Sequence, residues 1–178
     1  MHPIKHFLTI TKHRHLVMHY CFKCGLYKQG LLHDLSKYGF TEFWQGAKYF
    51  TGTKSPHLGE RAAKGYSSAW MHHKGRNKHH MEYWIDMNVL TNQYEPVKVP
   101  KKYVYESVCD RVAASKVYKK KSYTQKDPLD YFTYEGNAIP MHPETKKLLH
   151  SLLAYLAENG EKALFKYMKK NRKNPEYK

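Results

Sequence analysis

His33 and Asp34 stand side by side in the run Leu31-Leu32-His33-Asp34-Leu35-Ser36-Lys37, an imidazole and a carboxylate set among leucines. Burying an uncompensated carboxylate costs several kcal/mol or raises its pKa until it is neutral, whereas a divalent metal supplies the countercharge and accepts both side chains as ligands. The pair therefore reads as a metal site before it reads as packing. Residues of the same chemical types recur at His13, in the pairs His72-His73 and His79-His80, and at Asp110. Imidazole and carboxylate together suit Mn, Fe, Co, Ni or Zn.

The elements that must position these residues are helices. In 11–24 the residues Leu16, Val17, Tyr20, Cys21 and Cys24 recur at helical spacing with His13 on their stripe, while Lys12, His15, His19 and Lys23 share a solvated face. Gly25 is placed to end that helix. A second helix is expected from about 27–29, carrying the His-Asp pair, with Leu31, Leu35 and Tyr38 on one side, His33 and Lys37 one turn apart, and Gly39 closing it. Residues 41–50 form another turn or two with Phe43, Trp44, Ala47 and Phe50 inward, and 52–59, with Pro56, is a loop. Helical spacing resumes at Arg61 through Tyr66, Ala69, Trp70 and His73, breaks at Gly75, and starts again near Lys78 to bury Met81, Trp84 and Ile85.

After a connection with Pro96 and Pro100, 103–119 reads as a longer helix on which Asp110 faces Ala113, Ala114 and Val117. An acid on such a face is expected to be paired, capped or metal-bound. Residues 119–137 are a polar and aromatic excursion that could cover a pocket. A helix over 143–158 has Leu148, Leu149, Leu152, Leu153 and Leu156 in its apolar band; Asn159-Gly160 interrupts it, and 161–170 add a final piece before a charged, fraying tail. No strand-length alternation is bounded by turn signals. The expected fold is all-α, a single-domain multi-helix bundle over 1–178, with the metal-site core in about 11–117 and C-terminal helices in about 143–170.

The net charge of +16, from 31 Lys and Arg against 15 Asp and Glu, attracts phosphates, nucleic acid or anionic surfaces, but it serves a solvated basic face equally well. Charge alone does not favour a nucleic-acid partner. The N-terminus lacks the apolar stretch of a signal peptide and no segment approaches a membrane span, so a cytoplasmic protein without a membrane partner is expected. Cys21, Cys24 and Cys109 read as buried structural thiols, because Cys21-x-x-Cys24 has no second cysteine pair to complete a zinc site.

One histidine on a helix, His-Asp on the next, paired histidines at a helix junction and an aspartate on a later helix together resemble the HD-domain superfamily of metal-dependent phosphohydrolases, over about 11–117. His33-Asp34-Leu35-Ser36-Lys37 is similar to its His-Asp-x-x-Lys run, and Cys109-Asp110-Arg111-Val112-Ala113 to its terminal aspartate helix. More narrowly, Tyr20-Cys21-Phe22, the run from Gly30 to Tyr38 and the run from His72 to His80 resemble an uncharacterised bacterial domain family of unknown function. The resemblance implies a basic metal shell of His13, His33, Asp34 and Asp110, with His73 and His80 as added ligands of a second ion and Asp34 bridging the two. The stripe with Trp70 selects His73 over His72; His79 against His80 stays open. The aromatic, loop-containing segment between Asp34 and His72 departs from the superfamily's usual spacing.

The implied activity is hydrolysis of a nucleotide or other small phosphorylated compound by a water activated on one or two ions. Asp34 and Lys37 would be the catalytic residues, Lys37 neutralising charge on the transferred group, and Lys74, Arg76 and Lys78 could hold the substrate phosphate. The superfamily also includes a di-iron oxygenase. Oxygenase chemistry on the same ligands, a basic nucleic-acid-binding module and a non-catalytic metal-binding protein are the competing readings.

Overall fold

The computed structural model of the chain describes residues 1–136 and 138–174. They form eight α-helices and a two-stranded hairpin: α1 (Pro3–Cys24), α2 (Tyr27–Leu32), α3 (Phe40–Lys48), α4 (Pro56–Lys64), α5 (Ser68–Lys74), β1 (Ile85–Asn88), β2 (Gln93–Pro96), α6 (Lys101–Lys119), α7 (Asp127–Glu135) and α8 (Pro143–Asn171). Short 3-10 turns lie at Leu35–Tyr38, Met81–Trp84 and Lys120–Ser122. Among the described residues no helix is long and apolar enough to cross a membrane.

The core lies where α1, α6 and α8 meet. Val17, Tyr20, Cys21 and Cys24 of α1 pack with Val104, Val108, Cys109 and Val112 of α6, and α8 closes over both with Leu149, Leu153, Leu156 and Leu164. Tyr20 stacks on Phe165 with ring centroids 4.8 Å apart. All three cysteines are free and buried in this core, as expected of structural thiols. Gly25 ends α1 in the left-handed conformation, and Gly160 (φ 85°) kinks α8 where a Cβ would stand 2.7 Å from Gln125 Oε1.

Several elements differ from the sequence expectation. The helix starting at Tyr27 stops at Leu32, so His33 and Asp34 sit in a break between α2 and a 3-10 turn, and Leu31 and Leu35 are exposed. Arg14 of α1 explains the stop: its guanidinium donates to the carbonyls of Leu31 (2.6 Å) and His33 (3.3 Å), satisfying acceptors that a continuing helix would have used. Trp44 is exposed, and Glu42 and Gly46 share the inner face of α3 with Ala47.

Pro56 opens α4 instead of lying in a loop, and the helix expected from Arg61 onward is divided by Gly65 (φ 81°) into α4 and α5. In place of the helix expected from near Lys78, a 3-10 turn at Met81–Trp84 leads into β1. Trp84 Nε1 donates to the Lys78 carbonyl and Ile85 enters the antiparallel hairpin opposite Pro96, a strand pair that the all-α expectation did not contain. The excursion at 119–137 is largely ordered as a 3-10 turn and α7, with Asn137 outside the described residues. The end of the charged tail, 175–178, also lies outside them.

Candidate metal centre

Four places in the fold deliver imidazoles and carboxylates to one buried volume. α1 contributes His13, the break after α2 contributes His33 and Asp34, α5 and the turn after it contribute His73, His79 and His80, and α6 contributes Asp110. Asp34 holds φ at 53°, a left-handed backbone that Asp tolerates better than most residues and that occurs where surrounding structure enforces it. The turn places its carboxylate at the centre of the cluster.

The two Asp34 oxygens face different neighbours. Oδ2 lies 3.3 Å from His33 Nε2 and 3.7 Å from His13 Nε2, while Asp110 Oδ1 is 2.9 Å from His13 Nε2 and 3.6 Å from His33 Nε2. Oδ1 lies 3.3 Å from His73 Nε2 and 3.5 Å from His79 Nε2. The donor atoms of His13, His33, Asp34 and Asp110 lie within 4.8 Å of one another, as do those of Asp34, His73, His79 and His80. Either set could hold a metal ion. Ligand atoms about 2.1 Å from a shared ion are separated from each other by about 3.0–3.4 Å, close to the shorter of these contacts.

Hydrogen bonding supports that reading. The Nε2 atoms of His13, His33, His73, His79 and His80 and the Asp34 Oδ1 atom are buried without a hydrogen-bond partner in the protein, while Asp34 Oδ2 is paired with the Lys37 ammonium. His13 Nε2 has its nearest acidic neighbour in Asp110 Oδ1, 2.9 Å away. Buried polar atoms are nearly always satisfied, so a convergent set of unpartnered donor atoms fits a cation.

The Nδ1 atoms of His33, His73 and His79 face carboxylates. His33 Nδ1 is 2.9 Å from Glu106 Oε1, and His73 Nδ1 is 2.7 Å from Glu42 Oε2. His33, His79 and Glu106 are also near enough to hold an ion, yet their contacts join Nδ1 atoms to one carboxylate oxygen at hydrogen-bond distance. Glu106 therefore acts as an acceptor behind the ligands. Such carboxylates fix the ring and the tautomer of metal-binding histidines.

Burial works against the charge on Asp34, but His33, Lys37 and His73 outweigh it and hold the carboxyl well below the usual range. Asp110 is held down in the same way by His13 and His33. Burial pushes His13, His73 and His80 toward the neutral form that ligates metals. His33 is the exception: burial lowers it, but Asp34, Asp110 and Glu106 raise it further, so a proton competes for its nitrogen.

Lys37 reaches Asp34 Oδ2 at 2.6 Å from the 3-10 turn. A cavity of about 340 Å³ opens beside the cluster, lined by Lys37, His13, Asp110, His79 and His80 on one side and by Trp70, Tyr118 and Tyr131 among others. α7 forms part of its wall, so the excursion does border a pocket. Lys74, Arg76 and Lys78 are not brought to it. Arg76 folds back on the His72 carbonyl and Lys78 lies over the rings of Tyr83 and Tyr103.

The structure thus gathers His13, His33, Asp34, His73, His80 and Asp110, and adds His79, because adjacent His79 and His80 rings (centroids 4.2 Å apart) both face inward. Glu106, Glu42 and His57 went unread. Glu106 had a signal, its i, i+4 relation to Asp110 on one helix face. His57, in the first turn of α4, lines the cavity against Trp70, and burial with Lys37 nearby lowers it to about 3. A family model described as "Family of unknown function (DUF5662)" matches residues 2–155. No curated protein and no solved structure matches the chain.

Proposed function

The chain belongs to DUF5662, a family of unknown function, and from that premise we propose that it is a metal-dependent phosphohydrolase acting on a nucleotide or other small phosphorylated compound. One or two divalent transition ions would be held by His13, His33, Asp34 and Asp110 and by Asp34, His73, His79 and His80. The observation that carries this reading is the convergence of unpartnered imidazole nitrogens on both oxygens of Asp34. The order of these residues along the chain, which resembles the HD-domain pattern, supports the same reaction.

A divalent ion bound there supplies hydroxide from its water near neutral pH and polarises a phosphoryl oxygen. The protein's own groups do the rest. Lys37 keeps a fixed positive charge at the edge of the cluster, where charge on a phosphoryl group would be held. It takes over the phosphate-facing part expected of Lys74, Arg76 and Lys78. The cavity, about 340 Å³, is large enough for a small phosphorylated compound.

The test is elemental analysis of freshly purified protein together with phosphate release from p-nitrophenyl phosphate and a nucleotide panel under Mn, Fe, Co, Ni and Zn. One to two ions per chain and metal-dependent phosphate release, both lost in Asp34→Asn, are expected. Stoichiometric iron with oxygen-dependent turnover and no phosphate release would overturn the hydrolase in favour of an oxygenase.

A further inference from the structure

We propose that Glu106 is a positioning residue shared by the two metal positions, one carboxylate setting the ring orientation and tautomer of a ligand at each. The inference rests on the metal reading above and concerns how the two positions depend on each other.

A neutral imidazole carries one N–H, so a ring that ligates through Nε2 must keep its proton on Nδ1, and an acceptor facing Nδ1 enforces this. Glu106 faces two such atoms with a single oxygen. Its Oε1 lies 2.9 Å from His33 Nδ1 and 3.1 Å from His79 Nδ1, and the two rings stand with centroids 4.4 Å apart. Their other nitrogens diverge toward different oxygens of Asp34, His33 Nε2 to Oδ2 and His79 Nε2 to Oδ1. Asp34 divides the rings between the two positions at the front, and Glu106 joins them at the back.

The placement follows from α6. Glu106 precedes Asp110 by one turn on the same face, so one rigid helix supplies a ligand and the acceptor behind two others. Glu106 is buried, which deprives the two N–H groups of competing water. Glu42 is a natural contrast. It accepts from His73 and from His72, and among the proposed ligands it touches one ring at the second position only.

The asymmetry is testable with Co²⁺ alone. Calorimetric titration and elemental analysis of the full chain should show that Glu106→Gln weakens both ions by about 10–100-fold, whereas Glu42→Gln weakens one and leaves the other within about 2-fold. Long-range ¹H–¹⁵N spectra of the Zn²⁺-loaded wild type supply a readout that does not require the variant to fold: both His33 and His79 should carry their proton on Nδ1. Two ions at wild-type affinity in Glu106→Gln, loss of only one, or an Nε2 proton on either ring overturns the proposal. Wild-type protein that takes up no Co²⁺ overturns the metal reading itself, before any variant is compared.

Discussion

The helical core and the Asp34 cluster share α1 and α6 and treat buried polarity in opposite ways. Toward α8, Leu149, Leu153, Leu156 and Leu164 fill the space between Val104, Val108 and Val112, and the cysteines bury weakly polar thiols at little cost. On another face of α6 and one turn before Val17 on α1, Asp110 and His13 join His33, Asp34, His73, His79 and His80, where five imidazole nitrogens and Asp34 Oδ1 lack hydrogen-bond partners and Asp34 Oδ2 meets the Lys37 ammonium. The core is completed by shape, and the cluster calls for a charge. Stability and chemistry are therefore separable by the face of one helix, and substitutions on each face should read out differently.

The largest effect is expected at the centre of the cluster. Asp34→Asn removes the carboxylate that faces both ligand sets, so metal-dependent turnover should fall by at least about 100-fold, with both ions lost and the helical circular dichroism retained. A variant that keeps two ions breaks the contrast. Leu153→Ala, fully buried in α8, is the counterpart: about 2–5 kcal/mol of stability lost in urea unfolding, with ion stoichiometry unchanged.

A smaller effect separates two histidines two turns apart on α1. His13 belongs to the cluster, whereas His6 packs against Phe43 and Phe50 and lies so close to α3 that a Cβ on Gly46 would stand 2.3 Å from its Nε2. Gly46→Ala should cost about 1–3 kcal/mol by overpacking, leave the metal content intact, and be largely relieved by adding His6→Ala. Failure of the double variant to recover would show that the glycine serves something other than the ring.

The same contrast explains what could be read from the residues alone. α1 from Thr11 onward, α6 and α8 were legible because their apolar stripes pack against one another, and His13 and Asp110 were legible because each lies on such a stripe; the first two turns of α1, from Pro3, were not read. The break at His33-Asp34 was not, since it is produced by Arg14 donating to carbonyls 17 and 19 residues downstream, a tertiary event without periodicity. Glu42 was invisible for a like reason: its partners His72 and His73 lie 30 and 31 residues away. The hairpin escaped because Met81, Trp84 and Ile85 follow a helical spacing that the Trp84 bond to Lys78 and strand pairing override. His79 and His80 could not be ranked because both rings turn inward.

Glu60 sharpens the comparison from the other side, as a buried carboxylate that the protein satisfies by itself. It accepts from Ser67 Oγ (2.6 Å), Ser68 Oγ (2.7 Å), Lys64 Nζ (3.0 Å) and the Ala69 amide (3.3 Å), tying α4 to the start of α5. Burial opposes its charge, but these bonds outweigh burial and bring the carboxyl down from 4.5 to about 2. A folded pKa below the unfolded one means that the contribution is full above about pH 4.5 and declines as the pH falls toward 2. Glu60→Gln should therefore cost about 2 kcal/mol at pH 7 and less than half of that at pH 3, measured as the gap between wild-type and variant urea unfolding curves. The ion content should stay at the wild-type value, because every acceptor site on Glu60 is already answered by hydroxyl, ammonium or amide. A gap that stays constant between pH 7 and pH 3 would show that Glu60 acts through packing, and the distinction from Asp34, whose oxygens face four imidazole nitrogens and a single ammonium, Lys37, would lose its electrostatic basis.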